Sequence, residues 1–182
     1  YTTLFRSRDS TSHLIKYRDY LRMVKELEMT SVYHPQFKNA KDIKRMHDEV
    51  LEVYNVKKTI IENEKFAKRI ETWKKFEYVG NDFSVVAPTK AEDLANEGAK
   101  LHHCVKSYIG RVADGETNIV CIRKNTELEK PFFTVEITND DTIQQVHGFG
   151  NKNADTEKGL TEFVEKWTKD KKLKLNNVNK VR

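Results

Sequence analysis

The first 79 residues of this 182-residue chain contain no glycine, and all seven glycines fall between positions 80 and 159. Glycine is the usual residue for left-handed and sharply turned backbone. A long stretch without it, rich in Lys, Glu, Leu and Ile, is therefore a helical block, and turns and strands belong to the remainder. Apolar positions at 3–4 spacing predict three helices in that block. The first covers 13–27, with Leu14, Ile15, Tyr17, Leu21, Val24 and Leu27 on one face and Ser12 as its cap. His34-Pro35 is a break, because a residue before proline avoids helical angles. The second covers 40–54 and the third 56–76.

From Glu77 the pattern changes. Gly80-Asn81-Asp82 signals a turn, 83–87 reads as a short strand, and Pro88 ends it. Thr89 to Glu92 has capping-box spacing, so a helix starts there and closes near Gly98. A short amphipathic helix follows over 105–113. Strands are expected over 117–123, 132–138 and 142–149, with a tight hairpin at Asn139-Asp140-Asp141. A closing helix covers 156–168, capped by Asp155 or Thr156, and the tail from Lys171 is an edge strand or an unstructured end. The fold class is α+β: an N-terminal helical bundle, then a small antiparallel β-meander flanked by helices. Three regions result: a helical basic region 1–76, an α+β core 77–170 and a basic tail 171–182.

The net charge of +5 conceals a segregation. Residues 1–76 hold 17 Lys/Arg against 11 Asp/Glu, residues 77–164 hold 9 against 15, and residues 165–182 hold 7 against 2. Basic surface attracts phosphate backbones, which makes nucleic acid, or a protein that processes DNA, the first partner to consider. Lys41, Lys44 and Arg45 are the cations nominated for it. Plain solvation, or compensation of the acidic centre, is the other reading. No apolar run approaches the roughly 18 residues of a membrane span, and no signal peptide opens the chain. It begins at Tyr1 rather than Met, as a segment of a longer protein would. Two cysteines, Cys104 and Cys121, make no disulfide framework and suit a reducing cytoplasm.

Leu101-His102-His103-Cys104-Val105 concentrates the chemistry. A thiolate is a nucleophile or a metal ligand, and a helix start favours its charged form. A free cysteine is also commonly a small buried apolar residue. A nucleophilic Cys104 needs a base. His103 is adjacent, but neighbours at a helix start project about 100° apart, so His102 or His147 approaches the sulfur more readily. Gln145 and His147 share one face of their strand, and Glu136 joins them only if the strand register allows. Tyr108 and Arg111 lie one turn on. Arg111 serves to bind phosphate or to pair with Glu136. Gly148, before Phe149-Gly150-Asn151, permits close approach of a ligand or merely shapes a bulge. His102, Cys104 and His147 match no standard zinc spacing, and no nucleotide, metalloprotease or hydrolase motif occurs, so no metal and no cofactor are expected.

The order of these pieces resembles the PcfJ-like family, whose hallmark is a His-Cys-Val tripeptide, here His103, Cys104 and Val105. The resemblance takes in Tyr108, the strand Thr134–Glu136, and the Gln145, Gly148 and Asn151 pattern. Tyr20-Leu21-Arg22-Met23 and His47-Asp48 extend it into the helical lead-in, over roughly residues 17–170. It implies a setting in conjugative plasmids, phages and other mobile elements, and no reaction. Two functions therefore stand side by side. One is a mobile-element accessory that contacts nucleic acid or a DNA-processing partner. The other is a cysteine/histidine-dependent enzyme, a thiol hydrolase, a transferase or a nuclease-like catalyst, centred on Cys104.

Overall fold

The computed structural model describes residues 9–29 and 40–176. The order is α1 (Asp9–Glu26), α2 (Ala40–Lys74), β1 (Tyr78–Val79), β2 (Phe83–Val86), α3 (Ala91–Leu101), a 3-10 turn (Cys104–Tyr108), α4 (Ile109–Ala113), β3 (Asn118–Lys124), β4 (Phe133–Ile137), β5 (Thr142–His147), α5 (Leu160–Asp170) and β6 (Lys174–Leu175). Two further 3-10 turns, Phe149–Asn151 and Ala154–Thr156, lie between β5 and α5. The expected α+β class is what forms. The break at His34-Pro35 and the last tail residues, 177–182, lie outside the described residues.

The second and third expected helices are one continuous α2 of 35 residues. Asn55 does not interrupt it, because asparagine costs only tenths of a kcal/mol against other residues inside a helix. Propagation through such a site is easier than a fresh nucleation beyond it. Two compact units divide the chain between Ile60 and Ile61, inside α2. In the first unit Tyr20, Met23 and Val50 are fully buried, with Val24, Leu27, Met46 and Leu51 packed around them. Tyr54 donates its hydroxyl to Glu26 and accepts an Arg22 N–H at 3.4 Å.

The second unit is a six-stranded sheet in the order β1-β2-β3-β4-β5-β6, antiparallel throughout except for the parallel β5–β6 pair. Its two faces differ in character. On one, Phe83, Val85, Val120, Ile122, Phe133, Val135 and Ile137 form an apolar surface. The end of α2 and α5 close over it with Trp73, Phe76, Phe163, Val164 and Trp167. Both indoles are satisfied: Trp73 donates to the Asn118 side chain at 3.2 Å and Trp167 to the Phe76 carbonyl at 2.9 Å. The other face carries Ser84, Cys121, Arg123, Thr134, Glu136, Gln145 and His147 in register. There α3 is held down by a buried ion pair between Glu97 and Arg123.

The start of α3 is capped by Asp93, one residue later than the sequence spacing suggested. Its carboxylate accepts the Thr89 N–H at 2.7 Å, the Thr89 hydroxyl at 2.9 Å and the Lys90 N–H at 3.1 Å. The other end of α3 also departs from expectation, since the helix passes through Gly98 and stops at His102, whose φ of +53° is left-handed. The closing helix α5 begins after Gly159 rather than after Asp155 or Thr156.

Candidate functional site

Gly98 sets the position of the Cys104 turn. A Cβ on it would lie 3.1 Å from the His103 carbonyl and 3.2 Å from the Lys106 nitrogen. Its bare backbone lets the turn lie flat against α3. The helix expected over 105–113 is instead the five-residue 3-10 turn followed by the five-residue α4. Cys104 opens that turn and is exposed, whereas Cys121 is buried in the sheet. The buried-apolar reading therefore fails for Cys104 and describes Cys121.

His103 caps this turn. With extended backbone, its Nδ1 accepts the Val105 N–H at 3.4 Å. A nitrogen that accepts carries no proton, so donor bookkeeping puts the ring hydrogen on Nε2. That hydrogen goes to Thr134 Oγ1 at 3.2 Å, and the hydroxyl in turn donates to the His147 carbonyl at 3.5 Å. Burial holds the His103 imidazole below the usual histidine range, and the neighbouring His147 pushes the same way. Both His103 nitrogens are thus engaged, and a proton on Nδ1 would meet the Val105 N–H head-on. His147 differs: its Nδ1 is buried and has no hydrogen-bond partner.

The sheet wall depends on register. Thr134 stands opposite His147 and Glu136 opposite Gln145, with Gln144 as the bulged residue beyond them. All four side chains rise from the same face. Glu136 is half-buried and well held: Thr117 donates to it at 3.1 Å and Gln145 Nε2 at 2.8 Å. Gln145 Nε2 also donates to the Tyr108 hydroxyl at 3.4 Å. Arg111 lies over the Tyr108 ring, 5.0 Å from its centroid, with its guanidinium 3.8 Å from Glu136 and 3.4 Å from Glu116.

These groups enclose a cavity of about 260 Å³. His103, Cys104, Val105 and Tyr108 line it from the turn, and Thr134, Glu136, Gln145 and His147 from the sheet. Ile119 and Asn151, the latter in left-handed conformation, complete the lining. Three nominated residues stand outside this lining. His102 is exposed beside Phe149, the two ring centroids 4.9 Å apart. Arg111 touches the cavity only through Glu136 and Tyr108. The space that a Cβ on Gly148 would take is filled by the Phe133 ring, at 2.7 Å. Its smallness serves packing on the opposite face. Thr134 and Thr117 escaped notice as single residues, although strand alternation with Glu136 was the signal that places Thr134 here. Among the described residues no three His, Cys, Asp or Glu side chains converge as a metal site. Of the cations nominated on α2, Lys44 and Arg45 are exposed and Arg45 pairs with Glu49 at 3.0 Å. The Lys41 side chain lies outside the described residues.

The chain matches the PcfJ-like protein family over residues 16–161, which takes in every residue of the cavity. It belongs to the PcfJ-like family. It is also similar, at 28% identity over 160 residues, to the uncharacterized protein Lin1253/Lin1744 of Listeria innocua serovar 6a. That similarity covers 87% of this chain and 34% of the relative, so the chain spans about a third of the relative's length. No solved structure matches this PcfJ-like chain. Among its described residues no helix is long and apolar enough to cross a membrane.

Proposed function

We propose that this PcfJ-like unit is a cysteine- and histidine-dependent enzyme, a hydrolase or transferase, with Cys104 as nucleophile and His147 as its proton partner. One observation carries the reading. The exposed Cys104 borders the same small cavity as an imidazole whose Nδ1 has no partner. A thiol of this kind works by giving its proton to a nearby base and attacking an electrophilic carbon. The carbon–heteroatom bond then breaks, the leaving group takes the proton back from the imidazolium, and water or another acceptor releases the acyl group. His103 is a positioning residue in this scheme, since both its nitrogens hold the turn. Glu136, Gln145 and Tyr108 supply polar contacts to whatever enters. A cytoplasmic setting would keep both thiols reduced.

The test is the pH–rate profile of iodoacetamide alkylation, read at Cys104 and Cys121 separately by mass spectrometry. Fast labelling of Cys104 with a midpoint below that of a free thiol, moved upward by His147→Gln, supports the reading. Slow labelling with an ordinary thiol midpoint, unchanged in the variant, ends it.

Charge segregation supports a second reading, in which the basic helical region contacts nucleic acid or a DNA-processing protein of a plasmid or phage. Lys44 and Arg45 project into solvent from α2. Binding of this sort weakens steeply with salt. Charge reversal at Lys41, Lys44 and Arg45 should weaken it, and Cys104→Ser should not. Salt-independent binding, or none, removes it.

A further inference from the structure

We infer that the ligand of the Cys104 cavity is a nucleotide, its base entering the cavity and its phosphate held at the mouth. This rests on the cavity being the working site, as proposed above, and adds the chemical class of what it takes. Charge at the mouth is the first support. Residues 77–164 carry six more acidic than basic side chains, yet the two stretches that frame the opening, 101–113 and 143–154, contain Lys106, Arg111 and Lys152 and no Asp or Glu. All three cations are exposed. Lys106 and Lys152 are the cations offered to phosphate, since the Arg111 guanidinium already lies against Glu116 and Glu136, and exposed cations attract phosphate.

The interior has the opposite character. Its lining includes Glu136, Gln145, Tyr108 and His147. This mixture of donors and acceptors suits the edge of a heterocyclic base, which proteins read through hydrogen bonds once the base is unpaired. About 260 Å³ lies just below the 300–1,000 Å³ of ordinary small-molecule pockets, room for one ring system rather than a whole nucleotide. Phe149 supplies the stacking surface. It is 54% exposed, two residues before the cavity-lining Asn151 and with the ring of His102 against it, and an exposed aromatic near cationic side chains is how single strands are commonly bound. A base pair inside a duplex cannot enter, so the source is a free nucleotide or an unpaired strand.

The test uses the 182-residue chain with fluorescein-labelled single-stranded oligonucleotides of each base, the matching duplexes, and nucleoside monophosphates as competitors, followed by anisotropy. Single strands should bind more tightly than duplexes. Phe149→Ala, a surface change that leaves the core intact, should weaken binding about tenfold, in line with loss of one stacked base. Lys106→Glu with Lys152→Glu should weaken it and flatten its salt dependence by about two contacts. Competition by monophosphates identifies a free nucleotide as ligand; binding by oligomers alone identifies a strand. No binding, or equal binding of duplex and single strand that ignores Phe149→Ala, overturns the inference. The thiol chemistry is separable from it. Rapid alkylation of Cys104 without nucleotide binding removes the ligand alone, and nucleotide binding to a protein with an unreactive Cys104 removes the chemistry alone.

Discussion

His103 and Thr134 join the Cys104 turn to the sheet through one hydrogen bond of 3.2 Å, while the Val105 N–H donated to Nδ1 on the other side of the ring requires the imidazole to be neutral. Burial keeps the ring in that state by lowering its proton affinity in the folded chain. As pH falls through about 6.5, the unfolded chain takes up a proton that the native state refuses. Stability from this group is therefore fully present above that pH and is lost below it, toward the depressed native value. Asparagine at 103 would keep a side-chain acceptor for the Val105 N–H without titrating. Thermal melts of the wild type and His103→Asn between pH 7.5 and 5 should diverge on the acid side, with the wild type falling faster. Parallel curves would show that the imidazole is not held neutral.

Cys121 is silent for a different reason. It sits in β3 with 2% exposure, and burial, reinforced by the nearby Glu97 charge, pushes its thiol far above the ordinary range. Native protein treated with iodoacetamide should be labelled at Cys104 alone, and Cys104→Ser should leave it unlabelled until denaturant is added. Labelling of Cys121 in the native state would contradict the enclosure of this face beneath α3.

The Glu97–Arg123 pair beneath α3 is expensive to split. Burial raises the Glu97 carboxyl above its usual range, and the Arg123 charge opposes that. Glu97→Gln leaves a guanidinium buried with no counter-charge, which should cost about 3–5 kcal/mol in urea unfolding. Replacing both partners, as Glu97→Leu with Arg123→Met, should recover most of that loss, since a paired buried charge is often no better than good packing. A double variant as unstable as the single one would mean the pair does more than neutralise itself.

Gly98→Ala tests the seat of the turn. In an open helix this change gains about 1 kcal/mol from helix propensity. Here the new methyl presses on the backbone of His103 and Lys106, and that backbone is fixed by the His103 cap. The variant should be destabilised by about 1 kcal/mol, and Cys104 should alkylate at an altered rate. A more stable protein with unchanged Cys104 reactivity would show that the turn floats freely over α3.

The sequence was enough for the meander, because the apolar and β-branched runs within 117–123, 132–138 and 142–149 are separated by turn residues. It was enough also to put Gln145 with His147. Their meeting with Thr134 and Glu136 was not legible, since pairing register is a long-range property and a shift of one residue would turn every side chain to the other face. The expected division into helices over 40–54 and 56–76 erred in the opposite direction, since helix cooperativity carries the chain through Asn55. Gly98 looked like a terminator because its close approach to the next turn leaves no local trace. The role of His103 as a cap was hidden for a similar reason: its partners are a backbone amide two residues on and a hydroxyl from a strand 31 positions away.

One face of the sheet is oily and the other is lined with hydroxyl, amide, carboxylate and imidazole groups, although helices cover parts of both. Leucine or valine at Thr134 or Gln145 would relieve the second face of groups that are costly to desolvate. Laboratory evolution for heat resistance alone should therefore drift toward a greasier, sturdier and inert molecule. The hydroxyl, amide and imidazole groups of that interior are what such a drift would remove first.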